Sequence, residues 1–271
     1  MKTKWTAIAL ITLLLCVILP GSIACTEYVC EYDLTVSSTE GGTVDMPGEG
    51  TYTYTYWVSA TQEPDDEVGL KARAADGYRF VKWTGDVDTI ANVDDSTTTI
   101  TMEDDYSITA NFVAVYDLTI SSTAGGSVTA PGAGTFTYDE GTVVNLVATA
   151  NSGCYFVNWT GDVGSITLVN APATPITMND NYSITANFAT VLTISSTDGG
   201  SVTAPGQGPH QYDAGEVVNL VAEADAGYRF VNWTGDVSTI ADASSATTTI
   251  AMNGHYSITA NFRWTCELCP K

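Results

Sequence analysis

The chain has 271 residues, with 9 lysines and arginines against 31 aspartates and glutamates, and its formal net charge is −22. A chain this acidic lacks the basic surface with which proteins neutralise nucleic-acid phosphates, and anionic membrane surfaces repel it. Only 15% of its residues are charged and 44% are hydrophobic, which excludes an acidic disordered tail. We therefore expect a folded protein that binds no nucleic acid.

The first 24 residues have the order of a secretory signal peptide. A basic start at Lys2 and Lys4 is followed by an apolar run, and the small residues Ser22 and Ala24 stand just before Cys25. The run is shorter than the ~20 apolar residues that span a bilayer. We expect cleavage after Ala24, which removes two lysines and leaves a mature charge near −24.

Cleavage at this point makes Cys25 the first mature residue. That arrangement also resembles a bacterial lipoprotein signal, in which the cysteine is acylated, although Ser22 stands where such signals usually carry leucine. Release and attachment through a lipid on Cys25 are both open, and such a lipid is the only membrane contact we expect. Either way, the expected location is extracellular or at a bacterial cell surface.

The strongest pattern in the sequence is a threefold internal repeat. The string Tyr-Ser-Ile-Thr-Ala-Asn-Phe begins at Tyr106, Tyr182 and Tyr256, and Trp-Thr-Gly-Asp begins at Trp83, Trp159 and Trp233. In each copy the Phe that closes the first string lies 29 residues after the Trp. This spacing predicts three copies of one folding unit, with each Trp in its core.

We name the copies module 1 (32–112), module 2 (116–188) and module 3 (191–262). A short segment, 25–31, precedes them, and a tail, 263–271, carries a Cys-x-x-Cys pair. Module 1 has 8 extra residues between Tyr52 and Asp66. Because the linkers between modules are very short, we expect an elongated array of small modules.

Each module has the pattern of β-structure. The motif from Tyr182 to Phe188 alternates apolar and polar residues, as a half-buried strand does. Two hairpins are predicted in module 2, one turning at Gly125-Gly126 and one at residues 179–181. The segments that could hold a helical turn are those around Ile90, Ile166 and Ile240. The fold class we expect is mostly β.

The sequence resembles a known family through Leu-Thr-Ile-Ser-Ser, Gly-Gly, Gly-Tyr-Arg-Phe-Val-Asn-Trp and the closing Tyr-Ser-Ile-Thr-Ala-Asn-Phe. These strings are similar to the divergent internalin B-repeat of bacterial surface proteins, over residues 32–262. The resemblance implies a small β-grasp-like module used in tandem in exported proteins. It implies no catalytic residues and no cofactor. Cys154 departs from the pattern, because Tyr78 and Tyr228 occupy that place in the other copies.

Five cysteines remain after loss of the signal, an odd number that indicates a modified or unpaired thiol. Cys30, Cys266 and Cys269 are candidates for disulfides, within the chain or between chains. The Cys266–Cys269 spacing is also found in zinc and redox sites, but a zinc site needs further ligands and a redox site needs a helix terminus. For Cys154 we expect an inert, partly buried thiol.

Asp86, Asp162 and Asp236 end the Trp-Thr-Gly-Asp motifs and are weak candidates for calcium ligands. The alternative is that each carboxylate accepts backbone hydrogen bonds in its own turn. We favour the turn, and we expect no metal site.

The sequence 51–57 places Tyr52, Tyr54 and Tyr56 on one strand face and Trp57 on the other. Tyr52 and Tyr54 have aromatic counterparts in module 2, which favours packing. Tyr56 and Trp57 have none, so they are the candidates for binding a partner.

The function that these patterns favour is a non-enzymatic spacer or adhesion scaffold, whose partner is an unidentified surface protein or glycan. The alternative is a carbohydrate- or peptide-binding module centred on Tyr56 and Trp57. A hydrolase is disfavoured, since the two histidines, His210 and His255, have no Ser or Cys partner at a recognisable motif.

Overall fold

The computed structural model describes residues 28–58 and 67–265. The predicted signal peptide, the lipidation candidate Cys25 and the tail cysteines Cys266 and Cys269 lie outside these ranges. Every regular element within them is a β-strand, so the mostly β fold class is confirmed. The described residues include no helix that is long and apolar enough to cross a membrane.

The chain divides into two compact units, one up to Val115 and one from Tyr116 onward. Module 1 lies in the first unit, and modules 2 and 3 lie in the second. The strands of the first part of the chain are β1 (Tyr28–Ser38), β2 (Gly42–Met46), β3 (Gly50–Val58), β4 (Glu67–Ala74), β5 (Tyr78–Gly85), β6 (Thr97–Thr101) and β7 (Tyr106–Ser122).

The strands that follow repeat this order twice. The next six are β8 (Gly126–Ala130), β9 (Gly134–Asp139), β10 (Val143–Ala150), β11 (Tyr155–Gly161), β12 (Ala173–Thr177) and β13 (Tyr182–Ser196). The last six are β14 (Gly200–Ala204), β15 (Gly208–Asp213), β16 (Val217–Ala224), β17 (Tyr228–Gly235), β18 (Thr247–Ala251) and β19 (Tyr256–Trp264).

Each module is built from two sheets packed on one core. In module 1 the larger sheet has the order β3-β1-β7-β5, and the smaller has the order β2-β4-β6. Module 2 repeats this with β9-β7-β13-β11 and β8-β10-β12, and module 3 with β15-β13-β19-β17 and β14-β16-β18. The first and last strands of a module are parallel neighbours in the larger sheet, and the pairs on either side of them are antiparallel.

The side chains between the sheets form three separate core clusters, one in each module. At the centre of each lies the motif tryptophan: Trp83, Trp159 and Trp233 are only 1%, 2% and 1% exposed. Burying a large apolar side chain contributes about 1.5–3 kcal/mol, which a module this small needs. The prediction that these tryptophans belong to the core is confirmed.

Both hairpins predicted in module 2 are wrong, although the strands themselves are present. The chain turns at Gly125-Gly126 from β7 into β8, but β8 pairs with β10 in the smaller sheet. Likewise β12 pairs with β10, whereas β13 pairs with β11. Both turns therefore connect strands of different sheets. Because the two sheets cover opposite sides of the core, the chain passes from one sheet to the other at these turns.

The segments around Ile90, Ile166 and Ile240 form turns, each ending in an isolated bridge to the smaller sheet. In module 1, for example, Ile90 pairs with Ile100, which is fully buried. Backbone carbonyl groups in these segments also accept hydrogen bonds from the tryptophan side chains. The Nε1–H groups of Trp83, Trp159 and Trp233 donate to the carbonyl oxygens of Asp95, Ala171 and Ser245, at 3.0–3.1 Å.

Candidate functional site

The three motif aspartates hold a turn onto the closing strand of each module. Their Oδ2 atoms accept the backbone N–H of a serine at 2.8–3.0 Å, in the pairs Asp86–Ser107, Asp162–Ser183 and Asp236–Ser257. Each aspartate N–H also donates to the carbonyl oxygen of the same serine, at 2.9–3.0 Å. Each carboxylate therefore accepts a backbone hydrogen bond, as expected, but the donor lies 21 residues away on the closing strand and not in the aspartate's own turn.

The weak candidacy of these aspartates for calcium, which the sequence disfavours, stays untested. Nowhere in residues 28–58 and 67–265 do three or more His, Cys, Asp or Glu side chains come together in a way that could hold a metal ion.

A second hydrogen bond ties the first strand of each module to the turn before the last strand. The acceptor is the side chain immediately before the closing motif, and the donor is a backbone N–H of the first strand. The pairs are Asp105 with Asp33 N at 2.9 Å, Asn181 with Asp117 N at 2.7 Å and His255 with Val191 N at 2.8 Å. The residue types in this turn differ between the modules, so the property they share, a side-chain acceptor at one position, is not apparent from the sequence.

Modules 2 and 3 share strand β13, and the residues at their joint are buried. Phe188, Ala189 and Thr190 are no more than 1% exposed. Thr190 Oγ1 donates to the carbonyl oxygen of Gly153 at 3.1 Å. The ring of His255 stacks on Tyr155 with a centroid separation of 5.9 Å. The two modules are therefore joined by packing as well as by the chain.

This joint explains why Cys154 replaces tyrosine in module 2. In modules 1 and 3 the tyrosine ring covers a glycine of the first turn, as Tyr228 covers Gly199. In module 2 the equivalent glycine, Gly125, faces both the Cys154 sulfur and the methyl group of Ala214 from module 3. A small side chain at position 154 leaves room for that methyl group. Burial raises the pKa of the Cys154 thiol, which keeps it protonated and poorly reactive at neutral pH.

Because Val191 N–H donates to Nδ1 of His255, we expect replacement of His255 by alanine to destabilise module 3 by about 1 kcal/mol. Asparagine, the module 2 residue at this position, keeps an acceptor and should lose less than half as much. Hydrogen exchange of residues 191–262 in the full chain measures both variants. Equal losses would mean that the stack on Tyr155, and not the hydrogen bond, is what matters at this position.

An open groove of about 350 Å³ lies beside this histidine and is lined in part by Asp236, His255 and Ser257. These are the residue types of a catalytic triad, but their hydrogen bonds run elsewhere. Asp236 accepts the backbone N–H of Ser257, and His255 Nδ1 accepts that of Val191. In a triad the histidine would bridge the serine hydroxyl and the carboxylate. The arrangement maintains the fold and does not form a nucleophile–base pair.

Tyr56 packs in a row of half-buried tyrosines on the larger sheet of module 1. Its ring lies 6.2 Å from that of Tyr32 and 6.5 Å from that of Tyr54, centroid to centroid, and all three pack against the core. Its strand, β3, pairs with the start of β1 from Tyr28 onward, so the module 1 insertion lengthens this strand pair. Tyr56 thus has a packing role; the side chain of Trp57 lies outside the described part.

The disulfide predictions stay untested, because most of the candidate cysteines lie outside the described residues. Cys30 and Cys154 carry free thiols. The other candidates for pairing with Cys30, in the segment before Tyr28 and in the tail, lie outside the described residues.

A protein-family model, the divergent InlB B-repeat domain, matches the chain three times, over residues 32–115, 116–191 and 190–265. The chain belongs to this family. The resemblance seen in the sequence is therefore confirmed, including its three tandem copies. Repeats of this family are a bacterial surface type, which places the chain among bacterial surface repeat proteins. A search of curated proteins finds no match to the chain.

Proposed function

We propose that this chain is an exported, non-enzymatic protein whose three B-repeats act as a spacer or adhesion scaffold at a bacterial surface. Membership of a surface repeat family supports the location. The separate core in each repeat supports the scaffold role, because each copy holds its own fold. The strong negative charge keeps such a protein soluble and limits unspecific contact with polyanions.

The observation that carries the proposal is the parallel pairing of the first and last strands within every module. Five residue pairs connect them in each copy, for example from Leu192↔Tyr256 to Ser196↔Ala260 in module 3. Tension on the chain pulls the first strand from its start and the last strand from its end. Two parallel neighbours are then drawn in opposite directions, and all their hydrogen bonds are strained together. A module connected in this way suits a protein that must hold its length under load.

Exposure on intact cells tests the location part of the proposal. Bacteria that produce the full chain are treated with an external protease, and fragments of residues 32–262 are sought in the supernatant by mass spectrometry. We expect these fragments to appear without cell lysis, either from the cell surface or from released protein. Fragments that appear only after lysis would contradict export. The same mass spectra report whether Cys25 begins the mature chain and whether it carries a lipid.

A further inference from the structure

Two arginines face each other across the last strand pair of module 3. Arg229 of β17 and Arg263 of β19 are direct partners in the antiparallel register, and both are exposed. Like charges directly opposite on a sheet destabilise it. A negatively charged group that contacts both guanidinium groups would remove this repulsion.

The described residues supply no such group. Arg73 pairs with Asp45 at 2.9 Å, but no carboxylate of the described residues lies within 4.0 Å of Arg229 or Arg263. This is unexpected in a chain with 31 acidic residues against 9 basic ones. The two guanidinium groups are therefore available to an external anion.

The repeat fold does not require this pair. The same positions in module 2 are occupied by Tyr155 and Ala189, which are direct partners in the equivalent register. In module 1 they are occupied by Arg79 and Val113. The paired arginines are thus a property of module 3 alone.

Uncharged hydrogen-bonding side chains follow the arginines along the same two strands. The next outward pair is Asn232 with Asn261, and the pair after it is Thr234 with Thr259. Asn261 Nδ2 donates to Thr234 Oγ1 at 2.9 Å, which fixes this row of polar groups. A row of amides and hydroxyls beside two guanidinium groups matches a sugar ring that carries an acidic substituent.

We propose that Arg229 and Arg263 bind a carboxylate or sulfate group on a glycan, with the neighbouring amides and hydroxyls contacting the sugar. Arginine suits this role because its planar guanidinium can bind either group through two hydrogen bonds. This inference rests on the proposed adhesion role and names the chemistry of the partner.

The test uses the full chain and three probes in titration calorimetry: trigalacturonate, its methyl ester, and a trisaccharide of galactose sulfate. We expect binding of trigalacturonate, of the sulfated sugar, or of both, and the comparison identifies the acidic group. The neutral methyl ester should bind at least tenfold more weakly than trigalacturonate if the carboxylate is recognised. Substituting both arginines by glutamine should weaken binding of the charged probe at least tenfold.

The double substitution Lys71→Gln with Arg73→Gln is the matched control, because it removes the same charge from another exposed strand. It should leave binding unchanged, and unaltered thermal unfolding shows that each variant is folded. Failure of both charged probes to bind, or equal loss in the two double variants, would overturn the assignment. If that happens while the protein is still found outside the cell, the proposed function stands and only this partner is excluded.

Discussion

Replacing Trp83 by alanine is expected to destabilise module 1 strongly and to leave the stability of modules 2 and 3 unchanged. Trp83 is 1% exposed, and its indole N–H donates to the Asp95 carbonyl oxygen at 3.0 Å. Removing a buried tryptophan costs about 3–5 kcal/mol, and a domain of this size has roughly 4–12 kcal/mol in total. Since the cores are separate, the loss should be confined to the module that contains the substitution.

Hydrogen exchange measured along the full chain distinguishes the modules. Protection of residues 67–112 should fall by orders of magnitude, while protection within residues 116–262 should be retained. Trp83→Phe is the control, because it keeps much of the apolar volume and loses only part of the ring and the N–H bond. A comparable loss of protection in all three modules would show that the copies unfold as one body.

The second large effect is expected at Gly161, the glycine of the Trp-Thr-Gly-Asp motif in module 2. Its φ is +97°, and a Cβ added there would collide with the carbonyl oxygen of Ser183. Because that carbonyl belongs to the closing strand and accepts the Asp162 N–H, it cannot move without breaking the turn. We expect Gly161→Ala to destabilise module 2 by roughly 3 kcal/mol or more.

Gly141 provides the matched comparison within the same module. Its φ is +78°, but a Cβ there would have no heavy atom within 4 Å. Gly141→Ala should therefore cost only the backbone strain of about 1–2 kcal/mol. Urea unfolding of the two variants separates strain from collision; equal losses would rule out the collision with Ser183 as the cause.

Much of the fold was predictable because its signals are local. Alternation in Tyr182–Phe188 indicates a strand with one buried face, and the repeated Trp spacing identifies the centre of each core. The family resemblance depends on the same strings. These features follow from neighbouring residues and from the threefold repetition, and both can be read without any structure.

Strand partners were not predictable in this way. A turn such as Gly125-Gly126 has the same local chemistry whether it joins neighbours in one sheet or crosses to a second sheet. Which of the two occurs depends on how both sheets cover the core, and no short stretch of sequence contains that information. The two hairpin errors have this common cause.

The candidate site was predictable only in its turn residues. Asp162 and its equivalents accept backbone N–H groups, as expected, but from a serine 21 residues away on the closing strand. The role of His255 likewise depends on Val191, 64 residues away in sequence. The pairing of Arg229 with Arg263 also depends on the register of two strands. Tyr56 was singled out for lacking a counterpart, whereas its neighbours in space give it a packing role.

The central claim is that each repeat resists tension through its parallel first and last strands. Force spectroscopy on the full chain, held at its ends, tests this most directly. We expect three separate unfolding steps, each lengthening the chain by roughly 20–25 nm. Pulling module 3 between residues 228 and 264, which lie together at one end of an antiparallel pair, should require much less force. A single unfolding step, or equal forces in the two pulling directions, would contradict the account.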